Sequence, residues 1–150
     1  MPIRYRIFTE SRVLVTRYLG HVTERDLLDT YGAIYDQEDY ELCRAELVDV
    51  RHKTVSDYTM STFMTLNEMT TERFGQAAEG LVTAILAGED SQLGMANLFR
   101  AVNDIFGNEE VATFTNAVDA LDWLSIPKAS RPPVVNWIAD QSVALQGKPQ

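Results

Sequence analysis

His52, Ser56 and Asp57 put a base, a hydroxyl and a carboxylate within six positions, the side chains that nucleophilic hydrolysis employs. No Gly-x-Ser-x-Gly elbow surrounds the serine, and a histidine and serine four residues apart in a loop have no defined geometry. The ordinary reading is a solvated loop histidine, with Ser56 and Asp57 capping a following helix. His21, at a strand end, reads the same way. Glu89-Asp90 and Glu109-Glu110 fall in loops and are assigned no chemistry. Gly88 and Gly94 lack the Lys-Ser or Lys-Thr of a phosphate loop. The one cysteine, Cys43, has Glu41 and Glu46 to raise its pKa and Arg44 to lower it, and reads as a small hydrophobe. With no Cys/His cluster at zinc-ligand spacing, neither a metal nor a cofactor is expected, and the chain is expected not to be an enzyme.

Two apolar features invite a binding role instead. Met60, Phe63, Met64 and Met69 recur at helical spacing, and Met95, Leu98 and Phe99 form a second stripe. Such stripes are ordinarily core. Methionine also adapts to varied shapes, so a greasy ligand pocket lined by Met60, Phe63, Met64, Met95 and Phe99 is the competing reading. The second feature is an island of Val134, Val135, Trp137 and Ile138 among Pro127, Pro132, Pro133 and Pro149. It must pack on its own sheet or on a partner subunit. Arg4, Arg6, Arg12 and Arg17 concentrate positive charge near the N-terminus, either to recognise an anionic partner or to keep an edge strand from aggregating.

Composition bounds these possibilities. The chain has 150 residues, 45% of them hydrophobic, enough for one domain with a sizeable core. A net charge of −9 argues against nucleic acid or an anionic membrane surface as partner. No stretch approaches the roughly 20 apolar residues that span a bilayer, so no stable membrane insertion is expected. The opening Met1-Pro2-Ile3-Arg4-Tyr5-Arg6 alternates charged with apolar residues rather than forming a secretory signal. One cysteine permits no internal disulfide, and a cytoplasmic setting is expected.

The elements that position these residues follow from periodicity. Ile3, Tyr5 and Ile7 alternate with arginines, Thr9-Glu10-Ser11 interrupts, and Arg12–Leu19 resumes a β-branched run, predicting a hairpin whose second strand ends at Gly20. Thr23 with Asp26 three residues on is an acidic capping box, opening a helix over Glu24 to Asp36. Ala45–Val50 reads as a short central strand and Asp57–Glu72 as a second helix. Leu81–Ala87 (LVTAILA) is apolar on both faces and reads as a buried strand. A third helix begins at Ser91 and closes at Gly107-Asn108, Val111–Thr115 is a last strand, and Asn116 caps a helix over Ala117–Leu124. The order is ββαβαβαβα, an α/β fold with a mostly parallel sheet and an N-terminal antiparallel hairpin strand. The pattern stops after Leu124, which divides the chain into a domain at 1–124 and a tail at 125–150.

This order, with Gly20-His21-Val22-Thr23 after a strand, Glu46-Leu47-Val48-Asp49-Val50-Arg51, and Asn116-Ala117-Val118-Asp119-Ala120-Leu121-Asp122-Trp123-Leu124 at the domain's end, resembles the STAS superfamily. The resemblance is closest to its SpoIIAA-like branch, which is also compared with CRAL-TRIO lipid-binding domains. It implies a sheet backed by helices and a role in protein or small-ligand binding without catalysis. In regulatory members a strand leads into a helix that opens with Asp-Ser-Ser-Gly, where a kinase phosphorylates one serine. Aligned on that pattern, Asp57 matches the aspartate, Tyr58 the modified serine, Thr59 the second serine and Met60 the glycine. The acceptor serine is absent, so the resemblance implies the fold more than the phosphoswitch. The expected interaction surface is Ser56, Asp57, Tyr58 and Thr59 at the start of the second helix, in a homodimer or against a protein partner. The alternative is a carrier or sensor of an apolar small molecule or lipid.

Overall fold

The computed structural model describes residues 2–74, 81–88, 94, 97, 100–101 and 110–140. The expected hairpin forms: β1 (Ile3–Phe8) pairs antiparallel with β2 (Val13–Thr23). Arg12, in the connecting turn, adopts a left-handed conformation at φ 56°. β3 (Ala45–Asp57), β4 (Val82–Leu86) and β5 (Glu110–Phe114) follow in parallel, giving a five-stranded sheet in the order β1-β2-β3-β4-β5. The antiparallel strand is at one edge, as its sequence position requires.

Two strands are longer than their apolar runs predict. β2 does not end at Gly20 but passes through it, because Gly20 at φ +65° and two register irregularities, at Arg17/Leu19 and Gly20/His21, absorb a bulge. β3 does not end at Val50. It continues through the polar stretch to Asp57, held by the ladder that pairs Gly20 with Lys53, His21 with Val55 and Thr23 with Asp57. Ser56 and Asp57 are therefore strand residues rather than helix caps, and α2 begins three residues later than expected.

Among the described residues four α-helices are continuous. α1 (Glu24–Tyr35) carries the predicted capping box: the Asp26 amide donates to Thr23 Oγ1 at 3.1 Å and the Thr23 amide to Asp26 Oδ2 at 3.0 Å. α2 (Met60–Phe74) packs beside α1. α3 (Ala117–Trp123) is capped by Asn116, whose Oδ1 accepts from the Asp119 amide at 2.9 Å. α4 (Arg131–Ala139) occupies part of the tail, where periodicity predicts no element. Its two prolines are in the first turn, where no intrahelical amide donor is needed, so they open the helix instead of breaking it. Of the helix expected from Ser91, positions 94, 97, 100 and 101 are helical, and the rest lies outside the described residues.

Strand alternation sorts the core into two layers. Leu14, Tyr18, Val48 and Ile85 face α1 and α2, meeting Leu27, Ile34, Phe63 and Leu66. Val13, Val15, Leu47, Ala84 and Leu86 face the other way, against Leu121 of α3 and Val134 and Ile138 of α4. Each such buried aliphatic side chain contributes roughly 1.5–3 kcal/mol. The tail helix thus supplies part of the second layer.

Candidate functional site

The last rung between β3 and β4 joins Asp49 to Leu86, yet β2 and β3 run on together to Thr23 and Asp57. Among the described residues, the eight residues Val50–Asp57 consequently form, with the end of β2, a two-stranded ribbon at the carboxyl end of the sheet. Val55 is 52% exposed on it, and Met60, opening α2, is 40% exposed. His21 Nε2 and Asp57 Oδ2 meet at 2.6 Å across the ribbon, both side chains more than half exposed. A sequence separation of 36 hid this pair. It resembles the base and orienting acid of a catalytic triad, but among the described residues no hydroxyl or thiol hydrogen bonds to His21.

The hydrolase geometry considered for His52 and Ser56 does not form. Both belong to β3, and four residues of strand set them about 13 Å apart. Of the expected surface, Asp57 and Thr59 are exposed and Ser56 half-exposed. Tyr58 departs from it: the ring is buried, edge-on to Tyr18 and Phe63 at centroid distances of 6.5 and 5.4 Å, with Lys53 Nζ 6.0 Å from its centroid. Burial pushes its hydroxyl pKa up to about 12, against a hydrogen bond with Ser56. The position aligned with a phosphoacceptor therefore turns into the core, because the aromatic side chain gains more from the α1–α2 layer than from water.

Of the residues expected to line an apolar pocket, Met60 is exposed, Phe63 is buried in the core and Met64 packs against that core half-exposed. Met95 and Phe99 lie outside the described residues. A ligand-sized cleft of about 370 Å³ lies instead at the opposite end of the sheet, lined by Tyr40, Glu41, Cys43, Arg73, Phe74 and neighbouring residues. Tyr35, Tyr40 and Phe74 form one aromatic cluster beside it, with centroid distances of 5.1 to 5.9 Å. Cys43 is buried, and its pKa is pushed up to about 11 by that burial, then by Glu46 and Asp39. It is an inert thiol in this setting.

Two polar clusters inside the molecule escaped sequence reading. On the α1–α2 side, Tyr31 donates to Glu46 Oε2 at 2.6 Å, Thr16 donates to the same oxygen at 3.0 Å, and the Tyr18 and Tyr31 hydroxyls meet at 3.0 Å. Burial, then the Glu46 charge, raises both tyrosine pKa values well above the ordinary. On the other side, Arg17 is fully buried on an interior strand, not on the edge strand that the hairpin arginines were expected to guard. Its Nη1 donates to the Trp137 and Asp140 carbonyls at 3.0 and 3.1 Å, and its guanidinium lies 5.7 Å from the centre of the Trp137 ring. Asp49, its register partner on β3, is 1% exposed and bidentate with Arg51, both contacts at 2.9 Å. Desolvation lowers the Arg17 pKa, the nearby Asp49 opposing it. Among the described residues no group of three or more His, Cys, Asp or Glu side chains is placed to hold a metal.

The strands and helices define an α/β domain with a hairpin-led mixed sheet, and among the described residues no helix is long and apolar enough to cross a membrane. No family model matches the chain, and no curated protein matches it. Among solved structures it is similar to an uncharacterised protein of the DUF3478 family with a SpoIIAA-like fold from Shewanella loihica PV-4. Identity is 18%, covering 81% of this chain and 93% of that one, with a TM-score of 0.49.

Proposed function

We propose that this protein is a non-catalytic, cytoplasmic interaction module with a regulatory role, and that the β2–β3 ribbon and the first turn of α2 meet a protein partner or a second copy of the chain. The observation that carries this reading is the eight-residue extension of β3 past its last rung with β4, with Val55 and Met60 exposed beside the His21–Asp57 pair. Extended edges and exposed apolar side chains of this kind are the usual material of strand-addition and small-patch recognition. Regulation at this surface works without phosphate on position 58, since Tyr58 is buried.

The test compares wild type with a Val55→Lys/Met60→Lys variant, both positions exposed enough to change stability by less than about 0.5 kcal/mol. Light scattering reads self-association, and quantitative affinity capture followed by titration with the purified partner reads hetero-association. The variant is expected to keep its fold and lose at least about tenfold in affinity, corresponding to about 1.4 kcal/mol. A wild type that binds neither itself nor a partner, or a variant that binds unchanged, overturns the proposal.

A second reading, a carrier or sensor of an apolar or lipid-like molecule, rests on the cleft whose wall sets Tyr40, Phe74 and Leu81 beside Glu41, Arg44 and Arg73, a surface suited to an apolar body with a polar head, and whose volume is in the range of small-molecule sites. Native mass spectrometry of freshly purified protein should show a retained ligand that Phe74→Ala releases. Protein of unmodified mass, with no saturable response to a naphthalene-sulfonate probe, removes this reading.

A further inference from the structure

The second polar cluster is incomplete. Guanidinium groups bind carboxylates and phosphates most tightly through two parallel N–H donors on one edge, and Nε with Nη2 forms such an edge. In Arg17 both atoms are buried without an acceptor, and only Nη1 is used, on carbonyls at the end of α4. Asp49 stands next to it but gives both oxygens to Arg51, so two guanidinium groups flank a carboxylate that pairs with only one of them. Among the described residues no carboxylate is in ion-pair contact with Arg17. The charges that influence it are Asp49 and Arg51 from β3 and Asp140 from the end of α4.

The cluster lies at one end of the paired sheet. Arg17, Asp49, Leu86 and Phe114 form one row across the sheet, the last rung at the carboxyl ends of β4 and β5. The Arg17 end of the row is closed over by α4, a nine-residue helix too short to be stable on its own, while α3 packs on β4 and β5. Val134 and Ile138 hold it to the sheet, and Arg131 anchors its start on Asp122 and the Ile126 carbonyl.

We propose that the Nε–Nη2 edge of Arg17 is the receptor for an anionic oxygen pair, a carboxylate or a phosphate, and that α4 is the cover that lifts to admit it. With the cover closed, two donors of a buried cation go unsatisfied, which favours opening. With the cover lifted, the anion takes both donors of Arg17, while Arg51 keeps the Asp49 carboxylate engaged. Bound anion therefore shifts the population toward the open state.

The experiment follows amide hydrogen exchange over Arg131–Ala139 in the full chain, with sodium phosphate, sodium acetate or sodium chloride at matched ionic strength. Phosphate or acetate is expected to accelerate exchange there several-fold and saturably relative to chloride. Whichever arm responds identifies the anion as phosphoryl or carboxylate. Arg17→Met keeps the aliphatic stem and is expected to fold with an undiminished Tm while losing the response. Arg17→Lys, which keeps the charge but not the paired donors, is expected to lose it too, and stands in should the methionine variant fail to fold. Val134→Ala loosens the cover and raises apparent anion affinity by the factor by which it raises the open fraction. Exchange that is unchanged or slowed by both anions, a response that survives in Arg17→Met or Arg17→Lys, or unaltered affinity in Val134→Ala overturns the proposal.

Discussion

Four buried protons tie this protein's stability to alkaline pH. Burial raises the Cys43 thiol to about 11 and the Tyr58 hydroxyl to about 12, and holds Tyr18 and Tyr31 well above the ordinary tyrosine value. In each case the folded state keeps a proton that the unfolded chain releases at lower pH, so stability is full below the unfolded pKa and declines as pH rises toward the folded one. For Cys43 that window runs from the ordinary thiol value of 9.0 to about 11, for Tyr58 from the ordinary 10.0 to about 12. Retaining one proton across a window of that width corresponds to about 2–3 kcal/mol. From about pH 9 upward the slope of urea midpoint against pH is expected to be more negative in wild type than in Cys43→Ala, while Lys53, whose pKa desolvation lowers, acts with the opposite sign in both. Equal slopes in the two proteins over that range contradict the assignment. The thiol's apolar role was legible from its sequence neighbours. The tyrosine and Glu46 network was not, because Thr16, Tyr18, Tyr31 and Glu46 come from three separate elements.

At the scale of elements, local signals and long-range pairing divided the work. Thr23 and Asp26 advertise the start of α1 within four residues, and both capping bonds are present. The ribbon announces nothing locally: Arg51, His52, Lys53 and Thr54 read as a loop, since no apolar alternation marks which side is buried. Backbone pairing with the stretch around Gly20, where Leu19 meets His52 and Gly20 meets Lys53, makes them strand. Two substitutions at the same junction separate these effects. Thr23→Ala removes the side-chain acceptor of the cap and is expected to cost about 1 kcal/mol. Gly20→Ala meets no atom within 4 Å, so its cost, also about 1 kcal/mol, comes from placing a Cβ at φ +65°. Circular dichroism should show helix content falling in the first variant, while the second should lose its protection from exchange along Gly20–Thr23 and Lys53–Asp57. Equal exchange patterns in the two variants would mean the bulge does not depend on glycine.

Across the whole molecule, the central sheet is sandwiched between two helical layers of unequal security. Leu47 is fully buried on β3, between strands on both sides, and Leu47→Ala should lower global stability by about 2–5 kcal/mol. Ile138 is nearly as buried, yet it belongs to a short helix at the end of the described chain. Ile138→Ala is expected to lower the global urea midpoint less than Leu47→Ala does, and to speed exchange selectively over Arg131–Ala139, because that segment can open without unfolding the sheet. Equal global losses would make α4 part of the same cooperative unit as β3.

What the amino-acid sequence determined by itself is the class of architecture: a hairpin followed by alternating helices and strands, in the order that places the antiparallel strand at an edge. Those features are encoded by periodicity and caps within a dozen residues, and neighbouring side chains suffice to express them. Tertiary structure decided the rest. It turned Tyr58 inward, carried β3 past its apolar run, meshed Trp137 with Phe8 and Arg17, and brought His21 to Asp57. Each of these depends on groups far apart along the chain, whose meeting is set by strand register and by which sheet face a helix covers. Neither quantity has a signature in any single segment. For the same reason the tail's hydrophobic island was visible in the sequence, while the buried arginine beneath it came to light only once the helix lay across the sheet.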